Sequence, residues 1–302
     1  MQKTKIALLT ESRYIDPNPS DAYKKEVLKE DELLAAALAQ YNCEAERVNW
    51  ADPHYDWSSV DYAVFRSTWD YFYRFSDFLS WIDRVADSIK TINPMELVRW
   101  NMDKHYLQDL ADREVRIVPT RYVEAGEQTT LKAVFAEGSY SRAIIKPAVS
   151  GTARHTYLID RGNVDAHEEV FKKLISEECM LVQPFLKNIA ERGEVSFVVF
   201  DGKFSHAVLK KAKAGDFRVQ SDFGGTVEQY QASKREVEFA EHAVAVCELQ
   251  PVYARVDVAW DDQGEMSLVE LELIEPDMWL RQNEGSAERF AAAIAAHLKL
   301  TQ

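Results

Sequence analysis

YARVDVAW, residues 253–260, and SLVELELIEP, residues 267–276, are joined through Asp261-Asp262-Gln263-Gly264 and read as a β-hairpin. A strand period of two sets Arg255 and Asp257 on one face and Val256, Val258 and Trp260 on the other. Glu270 and Glu272 likewise share a face, opposite Val269, Leu271 and Leu273. A two-residue turn at Gln263-Gly264 puts Asp257 directly across from Glu270, so three carboxylates and one arginine converge. Like charges facing each other on a sheet are destabilising, and the cluster therefore calls for a compensating cation or full exposure to solvent. Mg²⁺, a hard ion that prefers oxygen ligands and shared phosphates, is the natural compensator. The wet face of an ordinary antiparallel hairpin is the bland alternative.

Working outward, residues 5–10 read as a buried strand, followed by a loop with Pro17 and Pro19 and a helix that Ser20 caps and that runs to about Tyr41. Residues 44–50 and 62–67 are two more strands, and Ser76 opens an apolar-periodic helix through Trp81, Ile82, Val85 and Ile89. This alternation implies a small parallel α/β domain over residues 1–92. Asn93-Pro94-Met95-Glu96 reads as a helix start at a domain junction, with Pro at the first helical position and Glu at the third. A helix over 101–112, strands at 115–123, 142–146, 157–160 and 180–183, and helices near 129–136 and 164–176 make a compact α+β unit, residues 93–183. Residues 184–302 hold strands at 195–200 and 204–209, a long helix over 233–248, the hairpin and a terminal helix at 286–298.

Composition narrows the function. A length of 302 residues suits two domains, or three small ones sharing a long core. With 36 basic against 50 acidic residues the net charge is −14, which argues against sequence-independent nucleic-acid binding and against anionic membranes. No glycine precedes Gly126, which removes both a dinucleotide fingerprint and a P-loop from the first β-turn-α unit. Cys43, Cys179 and Cys247 are far apart, without CxxC spacing, so neither a disulfide framework nor a zinc finger is expected. The 7 histidines form no HExxH, and neither GxSxG nor GxxxxGK[ST] occurs. Residues 1–10 are too short for a signal peptide and no stretch approaches a membrane span, so the expected location is the cytoplasm.

Several further residues have chemistry of interest. Lys146 ends an apolar strand ahead of a small loop, 148–153, that contains Ser150, Gly151 and Thr152; such a lysine can hold a phosphate alongside loop N–H groups, or can simply be solvated. Lys104, one turn inside its helix, reads alone as a surface lysine. In LVQPFL, residues 181–186, Pro184 frees neighbouring backbone that could bond an adenine edge, or that merely links two domains. Lys210, Lys211, Lys213 and Arg218 form a basic run inside an acidic chain, which favours an anion site.

In that order, Lys104, Lys146, the 183–186 hinge, Glu194, Arg218 and an RxD…ExE hairpin resemble the ATP-grasp superfamily, over nearly the whole chain and best from 93 to 276. VLKKAKAGDFRVQSDFGG (208–225) and VELELIEP (269–276) look most like bacterial glutathione synthetase and the ribosomal-protein glutamate ligases. FRSTWDY (65–71), RWNMDKHYL (99–107) and ELIEP (272–276) are similar to the cycloserine-forming ligase branch. The resemblance implies α/β and α+β architecture: an ATP-grasp fold with ATP between its central and C-terminal subdomains, preceded by a Rossmann-like parallel α/β domain. It implies that Lys104, Lys146 and the loop residues Ser150, Gly151 and Thr152 contact the nucleotide, that Gln183, Pro184, Phe185 and Leu186 form the adenine hinge, and that Glu194 binds ribose hydroxyls. Asp257, Glu270 and Glu272 match metal ligands, while Arg255, Lys210 and Arg218 match positions that hold phosphate or the reacting carboxylate. Related enzymes often have Asn at the position of Glu272, which leaves open one metal or two, and the 148–153 loop is poorer in glycine than in many members.

The chemistry so implied is a Mg²⁺-dependent (or Mn²⁺-dependent) carboxylate–amine ligation. ATP converts a poor acyl donor into an acylphosphate, an amine attacks, and Arg255 stabilises the oxyanion. Loops near 148–153 and 211–224 should close to exclude water. The substrate is expected to be small and amino-acid-like or a peptide, held by the loop 12–20 and by Arg66, Thr68, Asp70 and Tyr71, although core packing competes for Trp69 and Tyr71. An ATP-binding regulatory or scaffold protein and a small-molecule kinase are the rival readings, and a homodimer stays open.

Overall fold

Residues 6–9 carry apolar side chains on both faces of the first strand, and both faces are covered. Ile6 and Leu8 join Val64, Leu34 and Leu38 in one cluster, while Ala7 and Leu9 join Phe65, Phe78, Trp81 and Ile82 in another. The computed structural model describes residues 2–15, 21–213, 216, 218, 219 and 224–300. In it β1 (Thr4–Thr10), β2 (Cys43–Asn49), β3 (Tyr62–Ser67) and β4 (Lys90–Ile92) form a parallel sheet of order β2-β1-β3-β4, with helices α1 (Ala22–Leu38) and α2 (Phe75–Val85) on opposite faces. The cap of α1 is Asp21, whose carboxylate accepts from the Lys24 N–H at 3.1 Å; Pro17, Pro19 and Ser20 lie outside the described residues. α2 starts at Phe75 and stops short of Ile89, which is buried beyond its end.

The junction at Asn93 differs from expectation. Pro94 takes the cap position of α3 (Met95–Asn101), and the Asn93 side chain is engaged elsewhere. Its amide donates to the Tyr253 and Leu273 carbonyls at 2.9 and 2.8 Å and accepts from the Val252 and Tyr253 N–H groups at 2.6 and 3.3 Å. The helix expected over 101–112 is shortened to α4 (Tyr106–Ala111), and Lys104 sits in the turn that separates it from α3.

A second sheet, of order β5-β8-β6-β7, is built from β5 (Arg121–Val123), β6 (Arg142–Pro147), β7 (Tyr157–Asp160) and β8 (Met180–Pro184). Helices α5 (Leu131–Glu137), capped by Thr130, and α6 (Val164–Glu177) close its core around Phe135, Phe171 and Leu174. Only Arg121–Val123 of the expected 115–123 strand pairs within this sheet, because Ile117 bridges to Leu268 instead. Pro184 is itself paired, opposite Ala143, and the Phe185 N–H donates to the Arg142 carbonyl at 3.1 Å. Unladdered backbone therefore begins at Leu186, ahead of the short helix α7 (Lys187–Glu191), and not around Pro184.

The largest sheet is antiparallel, of order β11-β10-β9-β12-β13, from β9 (Glu194–Phe200), β10 (Lys203–Lys211), β11 (Thr226–Tyr230), β12 (Tyr253–Trp260) and β13 (Met266–Glu272). Helix α8 (Lys234–Ala245), together with α3 and α4, buries the face of Phe197, Val256 and Val258, while α9 (Ser286–Leu298) packs Phe290 against Phe200 and Tyr253. Asp257 does pair with Glu270, but by a different route from a two-residue turn. The Asp261 N–H donates to the Glu265 carbonyl, Gly264 has φ +81°, and Trp260 pairs with Met266, so the connection is one residue longer. A one-residue bulge at Val269 then restores the pairing, and it turns Val269 toward the cavity described below instead of behind Leu271.

β13 is an edge strand whose outer backbone is nonetheless occupied. The Asn101 amide donates to the Leu271 carbonyl at 2.8 Å and accepts from the Leu273 N–H at 2.9 Å. The Tyr106 hydroxyl accepts from the Leu271 N–H at 3.0 Å, and the Leu268 backbone bonds Arg116 and Val118. Such cover blocks edge-to-edge pairing and fixes the hairpin. Among the described residues no helix is long and apolar enough to cross a membrane.

Two outcomes follow from these contacts. Asn93→Ala leaves buried backbone groups without partners and should cost about 3 kcal/mol in urea denaturation; a loss near zero would show that the junction is held otherwise. The His206 ring Nε2 lies 2.7 Å from the Met278 carbonyl, and burial lowers its pKa from 6.5 to about 4. The ring stays neutral in the fold while the unfolded chain takes up a proton, so its contribution is whole above pH 6.5 and is lost as pH falls toward 4. His206→Gln should flatten that limb of the stability–pH curve by about 3 kcal/mol.

Candidate active site

A cavity of about 630 Å³ opens between the second sheet and the hairpin sheet. Lys104, Lys146, Ser150, Gly151, Thr152, the run 183–186, Glu194, Lys210, Arg218, Arg255, Asp257, Glu270 and Glu272 all line it, although they come from places up to 168 residues apart in the chain. Sequence order alone does not require this convergence; the packing of the two sheets produces it.

Its floor is a buried array of charges. Arg255 grips Asp257 with two bonds, Nε to Oδ1 at 3.0 Å and Nη2 to Oδ2 at 2.8 Å, and Nη2 also pairs with Glu272. The Lys210 ammonium lies 2.5 Å from Glu194 and 3.1 Å from Asp257, and Ser196 donates to Asp257 at 2.6 Å. Lys104 sits 3.0 Å from Glu270 and donates to the Ser150 carbonyl at 2.6 Å. The exposed-face alternative is thereby overturned, since Asp257 is 2% exposed and Lys104 5%. Four carboxylates face three paired cations, so the chain's own Arg and Lys residues supply part of the compensation that the sequence assigned to a metal or to water.

Titration behaviour follows from this array. Burial favours protonation of Asp257, but Arg255 and Lys210 outweigh it and hold the carboxyl well below the usual range. Burial also opposes ionisation of Glu270, and Lys104 with Lys146 more than offsets that. For Glu272 burial wins, aided by the Asp257 and Glu270 charges, and its pKa rises to about 7. Glu275 is pushed well above the carboxylate range by burial and by Glu272. Local positive charge is therefore short around Glu272 and Glu275.

Lys146 is 8% exposed, and among the described residues its ammonium has no hydrogen-bond or ion-pair partner. Burial depresses its pKa. The reading of Lys146 as a solvated strand end is thereby overturned. The neighbouring loop passes so close to Phe72 that a Cβ at Gly151 would lie 2.4 Å from the ring. Glycine is needed there for contact, while Thr152 and Ala153 carry the left-handed backbone at φ +46° and +58°.

None of the four substrate candidates lines the cavity. Arg66 shares the face of Val64, which α1 and α9 cover, so its guanidinium pairs with Asp31 at 3.2 Å and lies 4.0 Å from Glu30. Thr68 is fully buried, Asp70 accepts from Trp50 Nε1 at 2.7 Å, and Tyr71 packs on Phe78 in the core. The wall near the N-terminal sheet is instead made by Tyr14, Tyr23, Trp69 and Trp279, with Glu275 and Asp277 below them. Trp69 meets Tyr14 edge-on at 5.5 Å, stacks on Tyr23 at 6.3 Å and donates to the Glu275 carbonyl at 2.8 Å. Tyr14 belongs to the 12–20 loop expected to hold the substrate, and Trp69 was weighed against core packing; both line the cavity, whereas Tyr23 and Trp279 had no reading in the sequence. Arg218 lines the cavity and bonds Asp216; much of the surrounding 211–224 stretch lies outside the described residues.

Lys146→Met, which removes a buried charge and keeps the stem, should stabilise the nucleotide-free protein by on the order of 1 kcal/mol, read as a higher melting temperature. A destabilised variant would mean that the ammonium has a partner in solution.

Comparison with known proteins gives a consistent family. Residues 6–93 match the N-terminal domain of the D-cycloserine synthetase DcsG, and residues 104–258 match the ATP-grasp domain of prokaryotic glutathione synthetase. The cycloserine biosynthesis protein DcsG of Streptomyces lavendulae is 32% identical over 278 residues, covering 88% of this chain and 93% of that protein. The crystal structure of D-cycloserine synthetase DcsG superposes with a TM-score of 0.85 at 28% identity, over 97% of this chain and 99% of that one. A D-alanine–D-alanine ligase from Bacillus anthracis, complexed with ATP, shares the fold alone, with a TM-score of 0.66 at 14% identity over 97% and 96% of the two chains.

Proposed function

Because the chain belongs to the ATP-grasp family, as an ATP-dependent carboxylate–amine ligase, we propose that it activates the carboxylate of a small, amino-acid-like substrate with Mg²⁺-ATP and lets an amine displace the phosphate. One observation carries the reading: a buried Lys146 with no hydrogen-bond or ion-pair partner among the described residues lines the same cavity as the Lys104–Glu270 pair. The substrate class rests on the DcsG likeness along both matched segments, and on an aromatic wall that leaves room for a small molecule beside the charged floor.

Lys146 and Lys104 hold the phosphates in this proposal, with the loop 148–153 above them. Adenine lies along 183–186, where the Leu186 amide is the first that no backbone carbonyl engages among the described residues. Glu194 reaches the ribose only by sharing its carboxylate with Lys210, so Lys210 acts here mainly to keep Glu194 and Asp257 ionised. Arg255 has two nitrogens committed to carboxylates, while Nη1 makes one long contact, 3.4 Å, with the Asp277 carbonyl. Nη1 is the group that orients the reacting carboxylate and stabilises the oxyanion formed on amine attack. Arg218, which also lines the cavity, is a further cation for the same phosphoryl group in this reading.

Asp257, Glu270 and Glu272 offer the oxygen donors a hard cation prefers. Mg²⁺ or Mn²⁺ bound there would neutralise phosphate charge during transfer. The same reading divides the chain at residues 93 and 184, with α3 and α4 riding on the hairpin sheet.

Incubation with Mg²⁺-ATP and a panel of amino acids and amines should release ADP and phosphate only with a matching pair, alongside a new amide. A stable phosphorylated product with no amine required would indicate a kinase, and tight ATP binding with no turnover a regulatory protein. Glu270→Gln should lower turnover at least a hundredfold with an unchanged circular dichroism spectrum, and Lys146→Met should weaken ATP binding at least tenfold. Wild-type behaviour of either variant would remove that residue from the site.

A further inference from the structure

Behind the Lys104 turn, three metal-ligating side chains from three separate segments converge: His105, Glu124 just after β5, and Cys179 just before β8. One donor atom from each lies within 4.8 Å of the others. His105 Nε2 is 3.0 Å from Glu124 Oε1 and 3.7 Å from Cys179 Sγ. On the other side of the ring Nδ1 is 2.6 Å from Asp103 Oδ1, and a stack on Tyr122, 4.5 Å between centroids at 19°, fixes the ring plane.

A carboxylate only accepts, so Asp103 requires the hydrogen on Nδ1 and leaves the Nε2 lone pair directed at Glu124, a second acceptor. Such a contact is attractive only when a proton or a cation sits between the groups. A metal-ligating histidine whose distal nitrogen donates to a carboxylate is the usual outer-sphere arrangement at zinc. Tetrahedral zinc with bonds of about 2.0–2.3 Å spaces its donors by roughly 3.3–3.7 Å, and the two separations seen here bracket that range. We propose that His105, Glu124 and Cys179 form a binding site for a zinc-class transition metal, with water as fourth ligand and Asp103 orienting the imidazole.

The donor set separates this site from the hairpin carboxylates. Nitrogen and sulfur ligands select a borderline ion over Mg²⁺, which prefers oxygen alone. Coordination exchanges the Cys179 thiol proton for the metal and releases that proton to solvent. The site also has a mechanical link to the cavity. The Lys104 N–H donates to the Ala148 carbonyl at 3.0 Å, and the Ala148 N–H donates to the Cys179 carbonyl at 2.9 Å. A bound ion would therefore clamp the turn that carries Lys104 to the root of the 148–153 loop.

The test uses the full chain, stripped with a chelator and titrated with Co²⁺ in excess Mg²⁺. One equivalent should produce a cobalt–thiolate charge-transfer absorption with tetrahedral visible bands. Cys179→Ser should abolish the charge-transfer absorption, and His105→Gln and Glu124→Gln should each weaken Co²⁺ binding at least tenfold. The exposed Glu124→Gln variant keeps the test decisive if the Cys179 variant folds poorly. Absence of thiolate absorption at one equivalent overturns the proposal, as does absorption that survives in Cys179→Ser, and a protonated His105 bridging Asp103 and Glu124 would then account for the geometry. Because the readout is spectroscopic, it stands apart from the ligase reading.

Discussion

Asp257, buried, and Glu270, half-buried at the cavity, face each other across the hairpin, and much of the molecule serves to make that juxtaposition tolerable. Two carboxylates paired across strands, one of them buried, repel each other unless cations stand between them and their neighbours. The fold answers with Arg255 on the same strand, Lys210 from β10 and Lys104 from the turn between α3 and α4. Each belongs to a different element, so the charge balance exists only when all three have docked. A buried ion-pair network of this kind adds little net stability, because desolvation consumes most of the Coulombic gain. It is better understood as a preorganised field held ready for a polyanion.

That field needs a rigid support, and the edge of β13 provides it. Asn93, Asn101 and Tyr106 bond the outer backbone of the strand that carries Glu270 and Glu272. The three residues lie on or beside α3 and α4, the same segment that carries Lys104. Lysine and carboxylate are thus positioned by one set of contacts. Lys146, by contrast, is held by β6 with no hydrogen-bond or ion-pair partner among the described residues, and burial depresses its pKa although Glu270 lies near enough to act on it.

Much of this was legible from residue types and spacing. Strand periodicity put Arg255 with Asp257 and Glu270 with Glu272, and the Asp257–Glu270 pairing emerged even though the connection is one residue longer than the turn supposed, because the bulge at Val269 cancels the difference. Arg66 turns away from the cavity for a definite reason. Periodicity gives alternate faces but not which face a later element covers, and α9, more than 200 residues away in the chain, covers that one. Asn93 was misplaced in the same way. Its local context is that of a helix cap, and its actual partners, Tyr253 and Leu273, are remote in sequence.

The order of strands and helices, the absence of glycine-rich phosphate loops near the start, and the carboxylate–arginine pattern of the hairpin are properties of local sequence, since they depend on periodicity and residue chemistry within a few positions. Whether Lys104 is a surface lysine or a buried counter-ion, whether Lys146 is solvated or unpaired, and which aromatic rings wall the cavity depend on segments far apart in the chain. Burial and charge balance are sums over everything that packs nearby, so only the tertiary structure decided them.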